Sequence, residues 1–202
     1  MGEFKFYPDG HRYTYDGQDI PSVTQVLKIF FDFHFMNNEQ ALRRGTDVHQ
    51  MIEGFEKGNP DDETIDLMCQ YEDHLLYWQE FKKEFNFKSS KDDLIEQRMF
   101  SKNHRYAGTL DRVFFSPEPT IIDIKAGVPI KKIHRLQLLA YHQLAVEHTG
   151  NKKFKLACVY LKPSGYKVKF HKFDKSDYNV FLSGLCVHNY KKLYKEKVNE
   201  ST

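Results

Sequence analysis

Three charged residues interrupt two stretches that otherwise read as apolar β-strands. Asp111 lies in "RYAGTLDRVFF", and Asp123 and Lys125 lie in "TIIDIKA". Burying a charge costs roughly several kcal/mol unless the charge is paired or binds a metal. Because successive side chains of a strand alternate between its faces, Asp123 and Lys125 point to the same face. Chemistry at this face would therefore use two carboxylates and one ammonium group.

The two aspartates are expected to lie side by side. The stretches that carry them are joined by only "SPEP", which is short enough to connect neighbouring antiparallel strands. Two carboxylates held close together repel each other unless a cation lies between them. Such oxygen ligands suit Mg²⁺ or Mn²⁺ better than Zn²⁺. The alternative is a buried Asp123–Lys125 ion pair that needs no metal, and the triplet by itself does not decide between the two.

The elements around these strands indicate an α/β protein. The start of the chain predicts a β-hairpin that turns at Pro8-Asp9-Gly10, followed by a helix with Ser22 as its N-cap. Apolar periodicity predicts a helix over 38–57 and one long amphipathic helix from Ile65 to Phe85. Three strands in an antiparallel meander come next, then a helix over about 130–147, two strands around "KPSG" and a last helix.

Composition narrows the possible functions. The chain has 202 residues, of which 40% are hydrophobic and 29% charged, and its net charge is +2. Any nucleic-acid surface must therefore be local. Three scattered cysteines argue against a disulfide framework, a zinc site or an iron–sulfur cluster. No signal peptide and no apolar run of membrane-spanning length is present, which predicts a soluble intracellular protein without a membrane partner. A cytoplasmic location is favoured and a mitochondrial one stays open.

Several of these stretches resemble the PD-(D/E)XK nuclease superfamily, in its RecB-like exonuclease branch. "GTLD" followed after a turn by "IIDIK" resembles the catalytic strands. "RRGTDVHQMIE" resembles that branch's helix with a Gly-Thr pair and a metal-binding histidine, here His49. "RLQLLAYHQLA" resembles its Gln-xxx-Tyr helix, here Gln137 and Tyr141. The order of elements over roughly residues 39–162 also matches. Without four cysteines, the chain resembles the cluster-free, phage-type or mitochondrial-genome-maintenance-exonuclease-like members.

The resemblance implies a restriction-endonuclease-like core, with a central mixed β-sheet flanked by helices. It implies one nuclease domain over 1–202, divided into an N-terminal hairpin and helix (1–37), a catalytic core (38–162) and a C-terminal strand and helix (163–202). The implied function is a metal-dependent exonuclease in DNA recombination, repair or replication. It would hydrolyse phosphodiester bonds from DNA ends and prefer single strands.

Roles for single residues also follow from the resemblance. Asp111, Asp123 and Lys125 would be catalytic. Mg²⁺ or Mn²⁺ would be held by the two aspartates, His49 and the carbonyl of Ile124, and a histidine ligand should favour Mn²⁺. Glu96 could hold a second metal or a ligand water, but a surface salt bridge fits it equally, so it stays outside the predicted site.

The DNA contacts are predicted for the helix after the catalytic strands. Gln137 and Tyr141 would line the site, and Lys131 and Arg135 would contact phosphates. Tyr13, Tyr15 and Tyr106 are further candidates, because they could stack on unpaired bases. Two alternatives stay open: a structure-selective endonuclease of the same fold, and a DNA-binding module without catalysis.

Overall fold

A computed structural model of the protein describes residues 2–30, 39–127 and 131–200, with side chains as far as residue 194. The predicted domain boundary at 37–38 and the predicted helix start near residue 130 lie outside the described residues. The architecture is a five-stranded mixed sheet flanked by helices, with a smaller antiparallel sheet at the N-terminus. The predicted fold class is therefore confirmed.

The N-terminal sheet contains the predicted hairpin and one further strand. Strands β1 (Phe4–Tyr7) and β2 (Arg12–Tyr15) pair antiparallel around the Pro8–Gly10 turn. Strand β3 (Gln18–Ile20) adds to β2 through a turn at Asp16 and Gly17, both of which have positive φ. Asp-Gly is a strong sequence signal for this kind of hairpin turn, so the third strand could have been predicted from the sequence.

The main sheet consists of β4 (Leu94–Ser101), β5 (Tyr106–Phe114), β6 (Thr120–Ala126), β7 (Lys155–Lys162) and β8 (Gly165–His171), in that spatial order. Helix α5 (Lys132–Thr149) lies between β6 and β7 in the chain. The first three strands form the predicted antiparallel meander, β6 and β7 run parallel across the crossover helix α5, and β7 and β8 form a hairpin.

Helices cover both faces of the main sheet. Ser22 caps α1 (Val23–Leu27) with a capping box, as its position predicts. The predicted long helix is wrong, because the chain breaks at Tyr71 (φ −116°, ψ 34°) into two helices. None of the helices among the described residues combines the length and apolarity that a membrane span needs. One face of the sheet packs against α1, α5 and α6 (Lys175–Glu200). The other face packs against α2 (Glu39–Lys57) and α4 (Glu72–Glu84). Helix α3 (Asp62–Gln70) lies between α2 and α4 in the chain.

A buried ion cluster fastens α2 to the sheet. The guanidinium of Arg112 on β5 contacts Glu56 at 2.8 Å and Asp93 at 3.0 Å, and the side chains of both acids are fully buried. Lys82 of α4 also contacts Glu56, at 2.5 Å, and the backbone N–H of Phe115 donates to Asp93. Because every charge in this cluster has an opposite partner, the burial of Arg112 is tolerated.

We expect Arg112→Leu to lower the free energy of unfolding by about 3–5 kcal/mol, because it leaves the buried carboxylate of Asp93 without its cation and that of Glu56 with Lys82 as its remaining cation. Chemical denaturation measures the change. The matched control is Arg12→Leu, which breaks the half-exposed pair with Asp19 and should cost at most about 1 kcal/mol. Equal losses in the two variants would contradict the structural importance of the cluster.

Candidate active site

The pairing of β5 with β6 ends at the two aspartates. Ladder pairs join 112–114 to 120–122, and Asp111 and Asp123 are the next residues on their strands. In place of a ladder bond, the Oδ2 atom of Asp111 accepts the backbone N–H of Ile124 at 2.6 Å. The strands therefore separate at this point, and a carboxylate occupies the position where the next backbone pairing would have formed.

Strand β4 contributes a third acid to the same place. The β4–β5 register puts Glu96 opposite Asp111, and Glu96 has a left-handed backbone conformation (φ 45°). Leu110 and Val113 both pack under α5 although they are three residues apart. Strict alternation would put them on opposite faces, so the strand changes face at Asp111. This irregularity brings the carboxylates of Glu96 and Asp111 together.

His49 on α2 completes the cluster. Its Nδ1 atom lies 3.1 Å from Glu96 Oε1 and 3.8 Å from Asp111 Oδ1, and its Nε2 atom lies 3.1 Å from the carbonyl oxygen of Ile124. One ligand atom from each of His49, Glu96 and Asp111 lies within 4.8 Å of the others, so this group could hold a metal ion. The structure thus brings three of the predicted ligands together and adds Glu96, which the sequence analysis had left out.

Asp123 and Lys125 form a direct ion pair beside this cluster. Lys125 Nζ lies 2.7 Å from Asp123 Oδ1, and the other oxygen of Asp123 lies 3.6 Å from the buried thiol of Cys158. The side chain of Asp123 is fully buried. The two residues share a face as predicted, and the ion pair considered as an alternative is present. Asp123 lies outside the group of three clustered ligands, and its role stays a prediction.

Burial and mutual repulsion control the charges of the site. Burial raises the pKa of Asp111 and that of Asp123, and a neighbouring carboxylate raises each one further. Burial opposes a charge on Lys125, but Asp123 and Asp111 raise its pKa above the usual value. Burial likewise opposes a charge on His49, but Asp111 and Glu96 raise its pKa to about 9. A positive charge placed among these acids therefore stabilises their ionised carboxylate form.

The donor set fits a divalent cation. It offers two carboxylates, one imidazole and one backbone carbonyl within a small volume, where the acids already attract positive charge. Hard oxygen ligands with a single nitrogen suit Mg²⁺ or Mn²⁺ rather than a thiolate-preferring metal.

Helix α5 places the predicted Gln-Tyr pair over β5. The side-chain amide of Gln137 donates to the hydroxyl of Tyr141 at 3.0 Å. Burial raises the pKa of Tyr141 well above its usual value, and Asp111 and Asp123 add to the effect. The ring packs on Gly108, where an added Cβ would lie only 2.8 Å from Tyr141 Cε1. Gly108 therefore makes room for the tyrosine.

Basic side chains near the site differ in availability. Lys131 is exposed at the N-cap of α5, whereas Arg135 contacts Asp177 of α6 at 2.6 Å. Lys167 and Lys169, which were not among the predicted site residues, are exposed on β8. Their register partners on β7 pair in turn with Lys125 and Asp123, so both lysines project from the face that carries the site. The alternating lysines of "KVKFHK" are the sequence pattern that could have predicted these two exposed basic side chains.

Two of the three tyrosines proposed for base stacking are core residues. Tyr13 is 1% exposed and Tyr106 is fully buried, so neither ring can stack on a base, and this expectation is wrong. The hydroxyl of Tyr106 donates to the carbonyl of Ala140, which anchors β5 to α5. The ring of Tyr15 lies 4.7 Å from that of Phe100 between the two sheets.

Comparison with known proteins supports the fold. No family model matches the sequence, and no curated protein does. Among solved structures, a candidate exonuclease from Eubacterium rectale is similar, with 12% identity and a TM-score of 0.50 over 78% of this chain and 67% of its own. The protein SSO0001 aligns with 14% identity and a TM-score of 0.42 over 84% of this chain and 74% of its own. At these identities the first likeness shows a shared fold.

Gly108→Ala is expected to lower the free energy of unfolding by about 1–3 kcal/mol, because the added methyl group forces Tyr141 from its place. Thermal or chemical denaturation checks this. Gly45→Ala is the control: nothing lies within 4 Å of an added Cβ in that helical position, so this variant should gain about 0.5–1 kcal/mol. An unchanged stability of Gly108→Ala would show that the tyrosine moves freely.

Proposed function

We propose that this protein is a metal-dependent deoxyribonuclease that hydrolyses phosphodiester bonds from the ends of single-stranded DNA. DNA recombination, repair or replication is the proposed context, and residues 1–202 are proposed to form one nuclease domain. The observation that carries the proposal is the place where β5 leaves β6. There Asp111, Glu96 and His49 lie together, and the Asp123–Lys125 pair adjoins them.

The proposed cation is Mn²⁺ or Mg²⁺, which His49, Asp111, Glu96 and the carbonyl of Ile124 would hold, and Asp123 is proposed as a further ligand. A divalent cation bound there polarises the phosphate and offsets the negative charge that develops during hydrolysis. Several observations support this assignment: Asp111 and Asp123 are buried and their pKa values are raised, and Asp111 lies close enough to Glu96 and His49 for the three to hold one ion.

The other residues act on the nucleic acid. Lys125 keeps its proton and supplies positive charge beside the scissile phosphate, where Asp123 holds its ammonium group. Gln137 fixes the hydroxyl of Tyr141 at the edge of the site. The exposed Lys131 is proposed to contact the phosphate backbone, and Lys167 and Lys169 extend the same positive surface across β8. Arg135 would join them only by leaving Asp177.

One observation favours a second candidate function. The Asp123–Lys125 pair satisfies itself at 2.7 Å, as it would in a DNA-binding module that lacks catalysis. The two functions differ in whether the folded protein cuts DNA when a divalent cation is supplied. Cleavage therefore decides between them.

The function is tested with labelled linear and closed circular DNA, single- and double-stranded, in Mn²⁺ or Mg²⁺. We expect the linear single strand to be degraded fastest, and chelation should stop the reaction. Asp123→Asn should lower the rate by about 100-fold or more, because a charge essential to the site is lost while its shape is kept. Asp19→Asn, at a half-exposed position of β3, is the matched control and should leave the rate unchanged.

Each outcome of this assay has a defined meaning. Intact substrates after incubation of folded protein with Mn²⁺ would favour the DNA-binding module. Cleavage of closed circles at the rate of linear strands would replace the exonuclease with an endonuclease of the same chemistry. Full activity of Asp123→Asn would place the metal site elsewhere.

Glu96→Gln tests the proposed role of Glu96 as a metal ligand. We expect the Mn²⁺ concentration for half-maximal cleavage to rise by about tenfold or more, because a neutral amide attracts a cation less strongly than a carboxylate. Calorimetric titration with Mn²⁺ should show the same loss without any substrate. Glu53→Gln is the control, since Glu53 pairs with Lys57 on the same helix as His49. Equal Mn²⁺ affinity in the two variants would remove Glu96 from the site.

A further inference from the structure

The N-terminal sheet lies beside the acids of the candidate site. A small cavity of about 160 Å³ is lined by His11 and Tyr13 from the N-terminal hairpin and by Glu96 and Asp111 from the main sheet. The hydroxyl of Tyr13 lies 2.7 Å from the hydroxyl of Thr109 on β5. This contact ties the small sheet to the strand that carries Asp111, so the small sheet has a fixed place beside the acids.

Arg98 is a basic residue next to these acids. It follows Glu96 by two residues on β4, which is roughly 7 Å along a strand. Its ladder partner is Thr109, and paired residues of neighbouring strands have their side chains on the same face, which here is the face that contacts Tyr13. Burial raises the pKa of Tyr13, the bond to Thr109 and the charge of Arg98 lower it, and Glu96 raises it. Arg98 and Glu96 therefore act on the same hydroxyl.

An aromatic ring holds the guanidinium of Arg98. Its Cζ atom lies 4.2 Å from the centre of the Phe6 ring. That ring packs in turn against His11 and Tyr13, at centroid distances of 5.1 and 4.9 Å. A guanidinium stacked in this way is already oriented, so it loses less freedom when it binds a ligand. The N–H groups at its edge suit the paired hydrogen bonds that a phosphate accepts.

The charge of Arg98 is not neutralised by an acid. The side chain is exposed, and within the described part of the chain it forms an ion pair with no carboxylate. Arg12 stacks on Tyr7 of the same small sheet at 4.3 Å, but Asp19 contacts it at 2.9 Å. Because carboxylates repel a phosphate-bearing strand, an unneutralised cation beside them favours the approach of that strand.

We propose that Arg98, stacked on Phe6, binds the substrate phosphate next to the one that is cut. The inference rests on the proposed nuclease function, because the cation that Glu96 and Asp111 are proposed to hold places the phosphate that is cut. The distance between Arg98 and Glu96 along β4 is close to the separation of successive phosphates in an extended strand.

The strand order supports this assignment. Strands β4 and β8 are the two edges of the main sheet. Arg98 lies on one edge strand, and Lys167 and Lys169 lie on the other. Asp111 and Asp123 are on the inner strands β5 and β6, so basic residues flank the acids on both sides of the strand order.

The test is binding of a fluorescein-labelled oligothymidylate to the full chain in the presence of a chelator. Fluorescence anisotropy gives the affinity over a range of salt concentrations, and chelation prevents the proposed cleavage. Arg98→Gln should weaken binding by about tenfold, because a charge-assisted hydrogen bond to phosphate is lost. It should also reduce the slope of log affinity against log salt by about 0.7, the value for one phosphate contact on a single strand.

Arg12→Gln is the matched control, because it removes a similarly stacked guanidinium whose charge Asp19 already neutralises. It should keep the wild-type affinity and salt slope. Two further variants separate charge from orientation. Arg98→Lys keeps the charge and the slope but should bind more weakly, since lysine lacks the planar paired donors. Phe6→Leu should keep the slope and weaken binding by about two- to fivefold, because the guanidinium loses its ring.

Three results would overturn the inference: no oligonucleotide binding by the wild-type protein, wild-type binding by Arg98→Gln, or equal losses in Arg98→Gln and Arg12→Gln. If the protein cuts DNA, each of them leaves the nuclease proposal standing. Conversely, the expected loss in Arg98→Gln together with intact substrates in the cleavage assay would overturn the nuclease and keep Arg98 as a phosphate contact of a DNA-binding module.

Discussion

The β5–β6 ladder stops after three residue pairs, and the site depends on that interruption. Beyond the last pair, the carboxylate of Asp111 accepts the backbone N–H of Ile124, which keeps the separated strands connected. A continuous ladder would have satisfied the same N–H with a carbonyl and turned the side chains into regular alternation. The separation instead opens a space that His49 enters from α2 and that Glu96 borders from β4.

Two clusters of charges are buried in the protein, with opposite consequences. In the first cluster, Arg112 and Lys82 balance Glu56 and Asp93, so the cluster is electrically complete and holds the layers together. In the second cluster, which His49 joins from α2, the carboxylates outnumber the permanent cation, Lys125, and burial raises the pKa values of the two aspartates. A balanced buried cluster supports the structure, whereas an unbalanced one attracts a cation, which is why the second is the candidate site.

Much of the fold was predictable because its signals are local. Alternation, apolar periodicity and turn residues gave the hairpin, the meander, the α5 crossover and the capping of α1. The break at Tyr71 escaped prediction because apolar helical periodicity continues across it, whereas the hydrogen bond from the Tyr71 hydroxyl to Asp47 of α2 joins residues far apart in the chain. The Asp16-Gly17 turn has a recognisable sequence signal, but it was not predicted. Burial of Tyr13 and Tyr106 depends on contacts with distant elements, so their availability for stacking could not be read from their type.

The sequence by itself determined that Asp123 and Lys125 share a face, that Asp111 lies on the neighbouring strand, and that Gln137 and Tyr141 share one side of a helix. These relations follow from the periods of strands and helices, which involve only nearby residues. Only the tertiary structure decided that Glu96 joins His49 and Asp111, and that the N-terminal sheet closes a cavity beside them. Those placements depend on a backbone irregularity in β4 and on contacts between residues far apart in the chain, which no local pattern encodes.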